Sequence, residues 1–449
     1  MNEDLEDIRV KDPHEAFRSV RNKIIKYKLE IILTECIKYM NNSTIDDITM
    51  LKFYPPWRLL LLAKWVIMYG DFNPWKPKEF LPKDFISLVN KMYDFEGAVS
   101  YTLDYSNPYL LIRMIAFQQF WLQNRQPTWS FPRQMKLFGH LDHKHPFNVN
   151  FYQVTGIYID EFIQLSVCLL TKFGEGDEVY VTDSCFDAVK DHYVEGTIPK
   201  YLSILSRDLA SLHEWLLSLP KTNYITEYHE ENPLSLYPLI RHNNGYLRIS
   251  PVILNDRLQY YIYDMLRETS KDVFMNKFGH IFSDYIKEAI TKLGLPYLTE
   301  EEARDKYQVS GKIVDFVIQD SDSLILVEAK GVELPQKGKF STNKDIIADR
   351  IETSVLKGIE QGIATASAII KAINNPSVNL QIYLIIVTYG DTYVGNGGNL
   401  GECIEEEQLK KLFIGDNVLQ MNKIYPVSIN EFDEFIQLVR QTHKRPCEI

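Results

Sequence analysis

The sequence predicts an α/β domain in the C-terminal half, with a mixed sheet flanked by helices, preceded by a mostly α-helical N-terminal domain. One observation is length, because 449 residues exceed what a single ordinary hydrophobic core organises. The other is a change of pattern. Helical periodicity dominates up to about residue 220, whereas strand-like and helical segments alternate beyond it. We therefore predict domains at residues 1–222 and 223–449, with the boundary at the polar stretch 220–223.

Apolar residues recur at helical spacing through the first domain. Residues 16–41 form a long periodic segment that predicts one helix, and residues 57–69 are apolar enough to predict an interior helix. Residues 109–122 and 158–173 have the same character, and proline-containing breaks separate these segments. Residues 201–219 predict a last helix before the boundary.

The second domain begins with a predicted β-hairpin around residues 243–245, because Asn-Asn-Gly favours a tight turn. Helices at 251–268 and 274–293 follow, and the acidic segment 300–305 is predicted as a loop. Beyond residue 331 the pattern predicts a helix at 345–373, a two-sided buried strand at 379–389, a helix at 402–413, a strand at 423–429 and a closing helix at 430–440.

The composition, 45% hydrophobic and 24% charged, is typical of a soluble globular protein. A formal net charge of -11 argues against a general, charge-driven coat for nucleic acid, although it leaves room for a local basic channel. Five dispersed cysteines without a CxxC pair predict a reducing compartment rather than disulfides or a zinc knuckle. The acidic residues 1–12 predict no signal peptide, and the apolar runs are too short to span a bilayer. We therefore expect a cytoplasmic protein without membrane association.

Residues 312–331 concentrate the polar chemistry of the second domain. Two aliphatic runs flank the polar turn 319–323, which predicts a β-hairpin. Asp315 ends the first apolar lead-in, and Glu328 and Lys330 close the second run. Alternate residues of a strand share a face, so Glu328 and Lys330 point the same way, and Asp315 can lie beside them. Such a group at the end of an apolar hairpin indicates a function, because unpaired buried charges are costly.

Phosphodiester hydrolysis is one reaction that needs such a group of oxygen ligands, since a divalent cation bound by them neutralises charge and activates water. Asp315, twelve intervening residues and then Glu328-Ala329-Lys330 resemble the signature of the PD-(D/E)XK, or restriction-endonuclease-like, nuclease superfamily. Residues 279–285 are similar to the G-x-x-F-E-x-Y stretch that many members carry. The resemblance covers about residues 230–445 and implies an αβββαβ order of elements.

The resemblance implies a Mg²⁺ site, with Mn²⁺ able to substitute. Its implied ligands are Asp315, Glu328 and the backbone carbonyl of Ala329. Lys330 is the implied catalytic lysine, which orients the attacking water or stabilises developing negative charge. Gln361, in the middle of the following helix, is expected to support the site.

Two positions depart from the family pattern. Val314 stands where the family name has proline, a residue that makes no catalytic contact. Ser283 stands where the helix motif has glutamate. The third acidic residue, a ligand or its supporting partner, is therefore either Asp284 or, one turn further on, Glu288.

The expected function is a Mg²⁺- or Mn²⁺-dependent nuclease that cleaves DNA, with RNA as the alternative substrate. Analogy with superfamily members that carry a large partner domain predicts a role in prokaryotic anti-phage defence. Residues 1–222 would then be a sensor or regulatory domain that responds to a phage or host protein. The alternative is a non-catalytic nuclease-like scaffold that binds a protein partner or nucleic acid. A third reading is cleavage only in complex with a partner subunit, and the oligomeric state stays open.

Three other segments have simpler interpretations. The histidine-rich segment 140–145 lacks zinc-type spacing and is predicted to be a surface loop. The glycine-rich segment 395–401 is not a phosphate-binding fingerprint and is predicted to be a turn. Residues 121–133 mix aromatic residues with arginines and could stack on bases, but packing is the expected role.

Overall fold

The computed structural model describes residues 12–42, 48–73, 78–103, 105–123, 130–174, 178–220, 223–309, 311–373, 380–413 and 418–449. The chain forms two compact units. The first comprises Met1–Tyr105 and Gln118–Thr269, and the second Ser106–Phe117 and Ser270–Ile449. The predicted boundary between residues 222 and 223 lies within the first unit's range, and residues 221 and 222 are outside the described residues. The predicted combination of a mostly helical N-terminal region and a sheet-containing C-terminal region is confirmed.

Helices make up most of the described chain before residue 270. They are α1 (Pro13–Ile24), α2 (Leu29–Asn42), α3 (Ile48–Phe53), α4 (Pro56–Tyr69), α5 (Pro82–Ser100), α6 (Pro108–Gln123), α7 (Ser130–Gln134), α8 (Pro146–Thr155), α9 (Ile159–Gly174), α10 (Thr197–Leu205), α11 (Leu209–Ser218), α12 (Tyr224–His229) and α13 (Pro251–Thr269). The interior helix predicted at 57–69 is α4, whose side chains from Leu59 to Ile67 are all buried. No single helix among the described residues has the length and apolarity to cross a membrane, although the bent pair α8 and α9 meets those criteria together.

A small four-stranded sheet accompanies these helices. Its strands are β1 (Tyr180–Thr182), β2 (Ser206–Asp208), β3 (Leu239–His242) and β4 (Gly245–Arg248), in the order β1-β4-β3-β2. The β3–β4 hairpin confirms the predicted turn, and Asn243 adopts the left-handed φ of 50° that asparagine tolerates. Gly245 is required because a Cβ there would lie 2.3 Å from the Val181 carbonyl oxygen.

Two predicted helices are each divided. The segment predicted as one helix at 16–41 forms α1 and α2, because Leu29 donates its backbone N–H to the Asp71 carbonyl at 3.1 Å and starts a new helix there. The segment 201–219 forms α10, β2 and α11. Asp208 accepts a hydrogen bond from the Ser211 N–H at 2.9 Å and so caps the second of these helices. Long-range pairing of β2 with β3 outweighs local helical periodicity.

The second unit alternates helices and strands. In chain order after residue 270 they are α14 (Lys271–Thr291), β5 (Tyr297–Thr299), α15 (Glu300–Tyr307), β6 (Phe316–Asp320), β7 (Ser323–Lys330), α16 (Gln336–Lys339), α17 (Lys344–Ile351), a π-helix (Glu352–Leu356), α18 (Lys357–Ile373), β8 (Gln381–Thr388), α19 (Leu400–Cys403), α20 (Glu406–Leu412), β9 (Ile424–Ser428) and α21 (Ile429–Thr442).

The sheet of this unit is mixed, with the strand order β5-β6-β7-β8-β9. The first three strands pair antiparallel, and β7, β8 and β9 run parallel. Strand β7 is central, and its residues from Ser323 to Glu328 are buried. This explains why an uninterrupted aliphatic run precedes Glu328, since a strand covered on both faces needs apolar residues at successive positions.

The predicted acidic loop at 300–305 is wrong, because these residues begin α15. Thr299 and Glu302 form a capping box, in which each side chain accepts a hydrogen bond from the other's backbone N–H. Acidic side chains in the first turn and basic ones in the last also favour the helix dipole.

The helix predicted at 345–373 is interrupted by the π-helix between α17 and α18. Helix α18 packs closely on β8 through two glycines. A Cβ at Gly362 would lie 2.4 Å from Leu384 Cδ2, and one at Gly358 would lie 3.1 Å from Ile386. Helix α14 packs at the end of β7, where Phe278 and Phe282 lie against Gly331. These contacts place α14 at the end of β7, next to Lys330, and α18 against the neighbouring strand β8.

Candidate active site

The β6–β7 hairpin brings Asp315 beside the end of β7. Asp320 pairs with Ser323 across the turn, and Ser321 adopts a φ of 51° there. Pairing of Phe316 with Val327 sets the register at the other end of the hairpin, and Asp315 immediately precedes this pair. Its carboxylate Oδ2 accepts a hydrogen bond from the Ala329 backbone N–H at 2.7 Å. Two residues predicted for one site are thus in direct contact.

Glu328 is the most deeply buried of the predicted site residues, with 2% of its surface exposed. Its Oε1 lies 2.6 Å from Lys330 Nζ. Among the described residues, its Oε2 finds no hydrogen-bond partner. Burial, with the nearby charge of Asp315 as the second cause, raises the pKa of Glu328 to about 7 even though Lys330 opposes the shift.

The surroundings of the Asp315 carboxyl also raise its pKa. Burial raises its pKa above the usual range, while the hydrogen bond from Ala329 and the charge of Lys330 pull the pKa down. The charge of Glu300 raises it further. For both Asp315 and Glu328, burial is the largest cause of the raised pKa.

Lys330 and Gln361 form a hydrogen-bonded chain. Lys330 Nζ donates to Gln361 Oε1 at 2.8 Å, and Gln361 Nε2 donates to the Ile313 carbonyl at 3.0 Å. Gln361 is itself buried, and Thr365 Oγ1 donates to its carbonyl at 2.7 Å. The sequence placed Gln361 on the correct helix, and the structure brings its side chain to Lys330.

The two helix carboxylates considered from the sequence both lie on α14. Asp284 and Glu288 have exposed side chains, and Glu288 Oε1 lies 3.3 Å from Lys292 Nζ. That either Asp284 or Glu288 is the third acidic residue of the site stays a prediction.

Glu300 is an acidic neighbour of Asp315 that the sequence did not single out. It is the first residue of α15, and its charge acts on the Asp315 carboxyl. The signal in the sequence was the capping pattern from Thr299 to Glu302, which marks a helix start directly after a short strand.

A divalent cation suits the donors at this site. Asp315 and Glu328 offer carboxylate oxygens, the type of ligand that Mg²⁺ and Mn²⁺ prefer, and one buried oxygen of Glu328 is unsatisfied. Among the described residues, no three His, Cys, Asp or Glu side chains are grouped closely enough to hold a metal ion by themselves. Backbone or solvent oxygens would have to complete the coordination, and Ala329 stays the predicted source of a carbonyl ligand.

The three other segments find structural roles. In the histidine-rich segment, His143 Nε2 lies 3.2 Å from Asp160 Oδ1, and His145 Nδ1 accepts from the Phe147 N–H at the start of α8. The glycine-rich segment 395–401 contains a 3₁₀ turn at Gly397–Asn399 and then enters α19. Arg133 is buried, whereas residues 124–129 of the aromatic segment lie outside the described residues.

Comparison of the chain with protein-family models, with curated proteins and with solved structures finds no match in any of the three.

Proposed function

We propose that this chain is a divalent-metal-dependent nuclease that hydrolyses phosphodiester bonds. The observation that carries the proposal is the buried Glu328 carboxylate, one oxygen of which has no hydrogen-bond partner among the described residues, placed with Asp315 and Lys330 at the end of the central strand β7. A purely structural role favours glutamine at position 328, because an amide avoids the cost of a buried charge and still accepts a hydrogen bond from Lys330. The presence of a carboxylate at this position supports cation binding.

The order of elements supports a restriction-endonuclease-like core. Helix α14 precedes three antiparallel strands, β5 to β7, and α18 then crosses over to β8, which is parallel to β7. This order supports the αβββαβ arrangement that the sequence resemblance implies, with α15 inserted between β5 and β6, additional short helices before α18, and β9 added at the edge. Asp315 immediately precedes β6 and Glu328 lies near the end of β7, a placement that supports the proposed PD-(D/E)XK pattern.

Asp315, Glu328 and the carbonyl of Ala329 would hold the cation. A bound Mg²⁺ or Mn²⁺ ion neutralises phosphate charge and activates water. Lys330, held by Glu328 and Gln361, presents an ammonium group that orients the nucleophile and stabilises negative charge developing on the phosphate. Gln361 acts through Lys330, and its hydrogen bond to the Ile313 carbonyl fixes its own orientation.

DNA is the proposed substrate and RNA the alternative, both through the resemblance of the motif. The same analogy supports a regulated effector in anti-phage defence, with residues 1–222 as a sensor for a phage or host protein. A cytoplasmic location follows from such a role. The acidic net charge of -11 suits a nuclease that is kept from nucleic acid until it is triggered.

The test is cleavage of labelled DNA and RNA panels by the full-length protein with Mn²⁺, Mg²⁺ or EDTA. Asp315→Asn keeps the acceptor for the Ala329 N–H but removes the charge, and Lys330→Met removes the ammonium group. We expect each to lower the cleavage rate by roughly a hundredfold or more. Lys371→Met is the matched control, because Lys371 is an exposed residue in the last turn of α18 and should leave the rate unchanged.

Wild-type rates in either Asp315→Asn or Lys330→Met would contradict the proposal. Absence of cleavage together with no Mn²⁺ uptake by the wild type in calorimetry would favour the non-catalytic scaffold instead. Cleavage that begins only when a second protein is added would identify a partner-dependent enzyme.

A further inference from the structure

We propose that the lysine-rich segment 336–344 contacts the phosphate backbone of the substrate, and that Arg113 is the positioning residue that holds this segment close to the end of β7. The inference rests on the proposed function, because it names a substrate-binding surface for the same site. It also gives a role in nucleic acid binding to residues 106–117, which precede the predicted domain boundary but belong to the second unit.

The segment 336–344 is a local excess of positive charge in an acidic protein. It reads Gln-Lys-Gly-Lys-Phe-Ser-Thr-Asn-Lys, with three lysines and no acidic residue, whereas the whole chain has a net charge of -11. Lysine contacts to phosphate supply most of the sequence-independent affinity of a protein for nucleic acid. Lys337 is exposed on α16 and can make such a contact.

The path of the chain brings this segment to the candidate active site. Strands β7 and β8 are parallel and in register at Lys330, so the loops that follow them leave the sheet at the same edge. The two loops are joined at their start, because the Val332 carbonyl accepts a hydrogen bond from the Tyr389 N–H at 3.0 Å. Lys339 of α16 forms an ion pair with Glu333, three residues after Lys330. The basic segment is therefore tied to the end of the strand that carries Lys330.

The Arg113 side chain joins the same two loops from α6. Its Nη1 donates to the Lys339 carbonyl and its Nε donates to the Thr392 carbonyl, each at 3.1 Å. Arg113 is 2% exposed, and its Nη2 has no hydrogen-bond partner among the described residues. Burial of a guanidinium that bonds carbonyls instead of a carboxylate is costly, which indicates that its planar fork is needed at this position. One nitrogen holds the basic segment and another holds the loop after β8.

Phe117, one helical turn further along α6, contacts the neighbouring residues of both loops. Its ring centroid lies 6.2 Å from that of Phe340 and 4.7 Å from that of Tyr393. The Arg113 guanidinium carbon lies 4.8 Å from the centroid of the same Phe117 ring. Arg113 and Phe117 thus form one brace that fixes the spacing of the two loops. Because Arg113 is buried, it acts on the substrate through the basic segment and not by direct contact.

The experiment measures nucleic acid binding by full-length Lys330→Met, which keeps the probe intact, at a fixed Ca²⁺ concentration and a series of salt concentrations. The probes are a labelled DNA duplex and a labelled RNA of the same sequence, followed by fluorescence anisotropy, and the more tightly bound probe is then used throughout. Lys337→Gln, added to this background, removes one phosphate contact, so binding should weaken and the slope of log K against log salt should fall by about 1. Lys371→Gln, at an exposed lysine of α18, is the matched control and should keep both the affinity and the slope.

Arg113→Lys in the same background keeps the positive charge but loses the planar fork that reaches both carbonyls. We expect weaker binding and a salt slope lowered by about 1, as for Lys337→Gln. Combining the two substitutions should weaken binding no further than Arg113→Lys alone, because a displaced segment no longer presents Lys337. Thermal unfolding checks that each variant folds, and Phe117→Leu, which shortens the other half of the brace, replaces Arg113→Lys in the comparison if that variant does not fold.

An unchanged affinity and salt slope in Lys337→Gln would overturn the phosphate contact. Fully additive losses in the combined variant would overturn the positioning role of Arg113, since the two residues would then act independently. Either result leaves the nuclease proposal standing if the wild type cleaves with Mn²⁺. Failure of Lys330→Met to bind either probe, together with no cleavage by the wild type, would overturn both proposals.

Discussion

Glu328 carries a charge that the fold stabilises poorly. Its backbone lies in the central strand, its side chain is buried, and among the described residues Lys330 pairs with one of its oxygens while the other has no partner. Natural cores exclude such groups unless a partner or a function compensates for the desolvation cost. The uncompensated desolvation cost of this carboxylate is the observation that most strongly indicates a function at this position.

The raised pKa of Glu328 predicts a pH-dependent effect of Glu328→Gln on stability in EDTA. The folded-state pKa of about 7 lies above the ordinary value of 4.5, so between these values the folded protein binds more protons than the unfolded chain. The wild type therefore loses stability as pH rises through this window. Glu328→Gln should raise the free energy of unfolding by about 3 kcal/mol at pH 8 and by almost nothing at pH 4.

Urea unfolding of both proteins at a series of pH values measures this difference. Glu301→Gln removes an exposed carboxylate from the same unit and should reproduce the wild-type pH dependence. A difference between Glu328→Gln and wild type that stays constant across the series would contradict the prediction.

Among the elements of the second unit, those with a strong pattern were predicted and those without one were missed. The β6–β7 hairpin and β8 are rich in aliphatic residues, and the structure has them at nearly the expected positions. Strand β5 is only three residues long, too short for alternation to be recognised, and its pairing with β6 is a tertiary contact. The π-helix has no sequence signature of comparable strength.

The close packing of α18 on β8 predicts that Gly362→Ala destabilises the protein. The new Cβ would meet the buried Leu384 side chain, and overpacking of this kind costs roughly 1–3 kcal/mol, which exceeds or offsets the gain of about 1 kcal/mol in helix propensity. Displacement of the helix would also move Gln361 away from Lys330. Cleavage should therefore fall together with the unfolding midpoint.

Gly279→Ala is the control for this substitution. Gly279 is an exposed residue of α14, and nothing lies within 4 Å of the position of its Cβ. Alanine there should stabilise the protein by up to about 1 kcal/mol without affecting cleavage. Equal free energies of unfolding for Gly362→Ala and Gly279→Ala would contradict the prediction, because they would show that α18 can move on β8 without loss of stability.

At the scale of the whole molecule, the sequence predicted which side chains meet at the end of the hairpin better than it predicted the residues around them. Asp315, Glu328 and Lys330 were named from the hairpin pattern and Gln361 from the family resemblance, and their side chains meet in the structure, because a hairpin and one crossover helix determine their positions. The pattern did not reveal that Glu300 begins a helix and that its charge acts on Asp315, because this depends on the register of a short strand and on a helix that resembled an acidic loop. The sensor role of residues 1–222 stays a prediction, since no side chain among the described residues of that range supplied a comparable signal in the sequence.

The net charge of -11 and the acidic site predict that nucleic acid binding depends on divalent cations. Without a cation, the site carboxylates repel phosphate, and the molecule as a whole repels a polyanion. Lys330→Met, which keeps its substrate intact, should bind labelled DNA several-fold more tightly in Ca²⁺ than in EDTA at matched ionic strength. Fluorescence anisotropy measures the affinities.

Asp315→Asn combined with Lys330→Met should lose most of this Ca²⁺ dependence, because one of the two proposed carboxylate ligands is removed. Equal Ca²⁺ dependence in both variants would place the cation effect elsewhere on the protein.

The parallel pairing of β7 with β8 affects the order in which the chain folds while it is being translated. The β6–β7 hairpin joins neighbouring residues, but Ser323 pairs with Gln381, about 60 residues further along the chain. Closing a connection of this length delays pairing relative to a local hairpin. On the ribosome, Asp315 and Glu328 can therefore meet early, whereas the central strand acquires its second neighbour only after β8 has emerged. The hairpin's carboxylates come together before the crossover helix brings Gln361 to Lys330, so the site proposed for cleavage is not assembled until most of the chain has been translated.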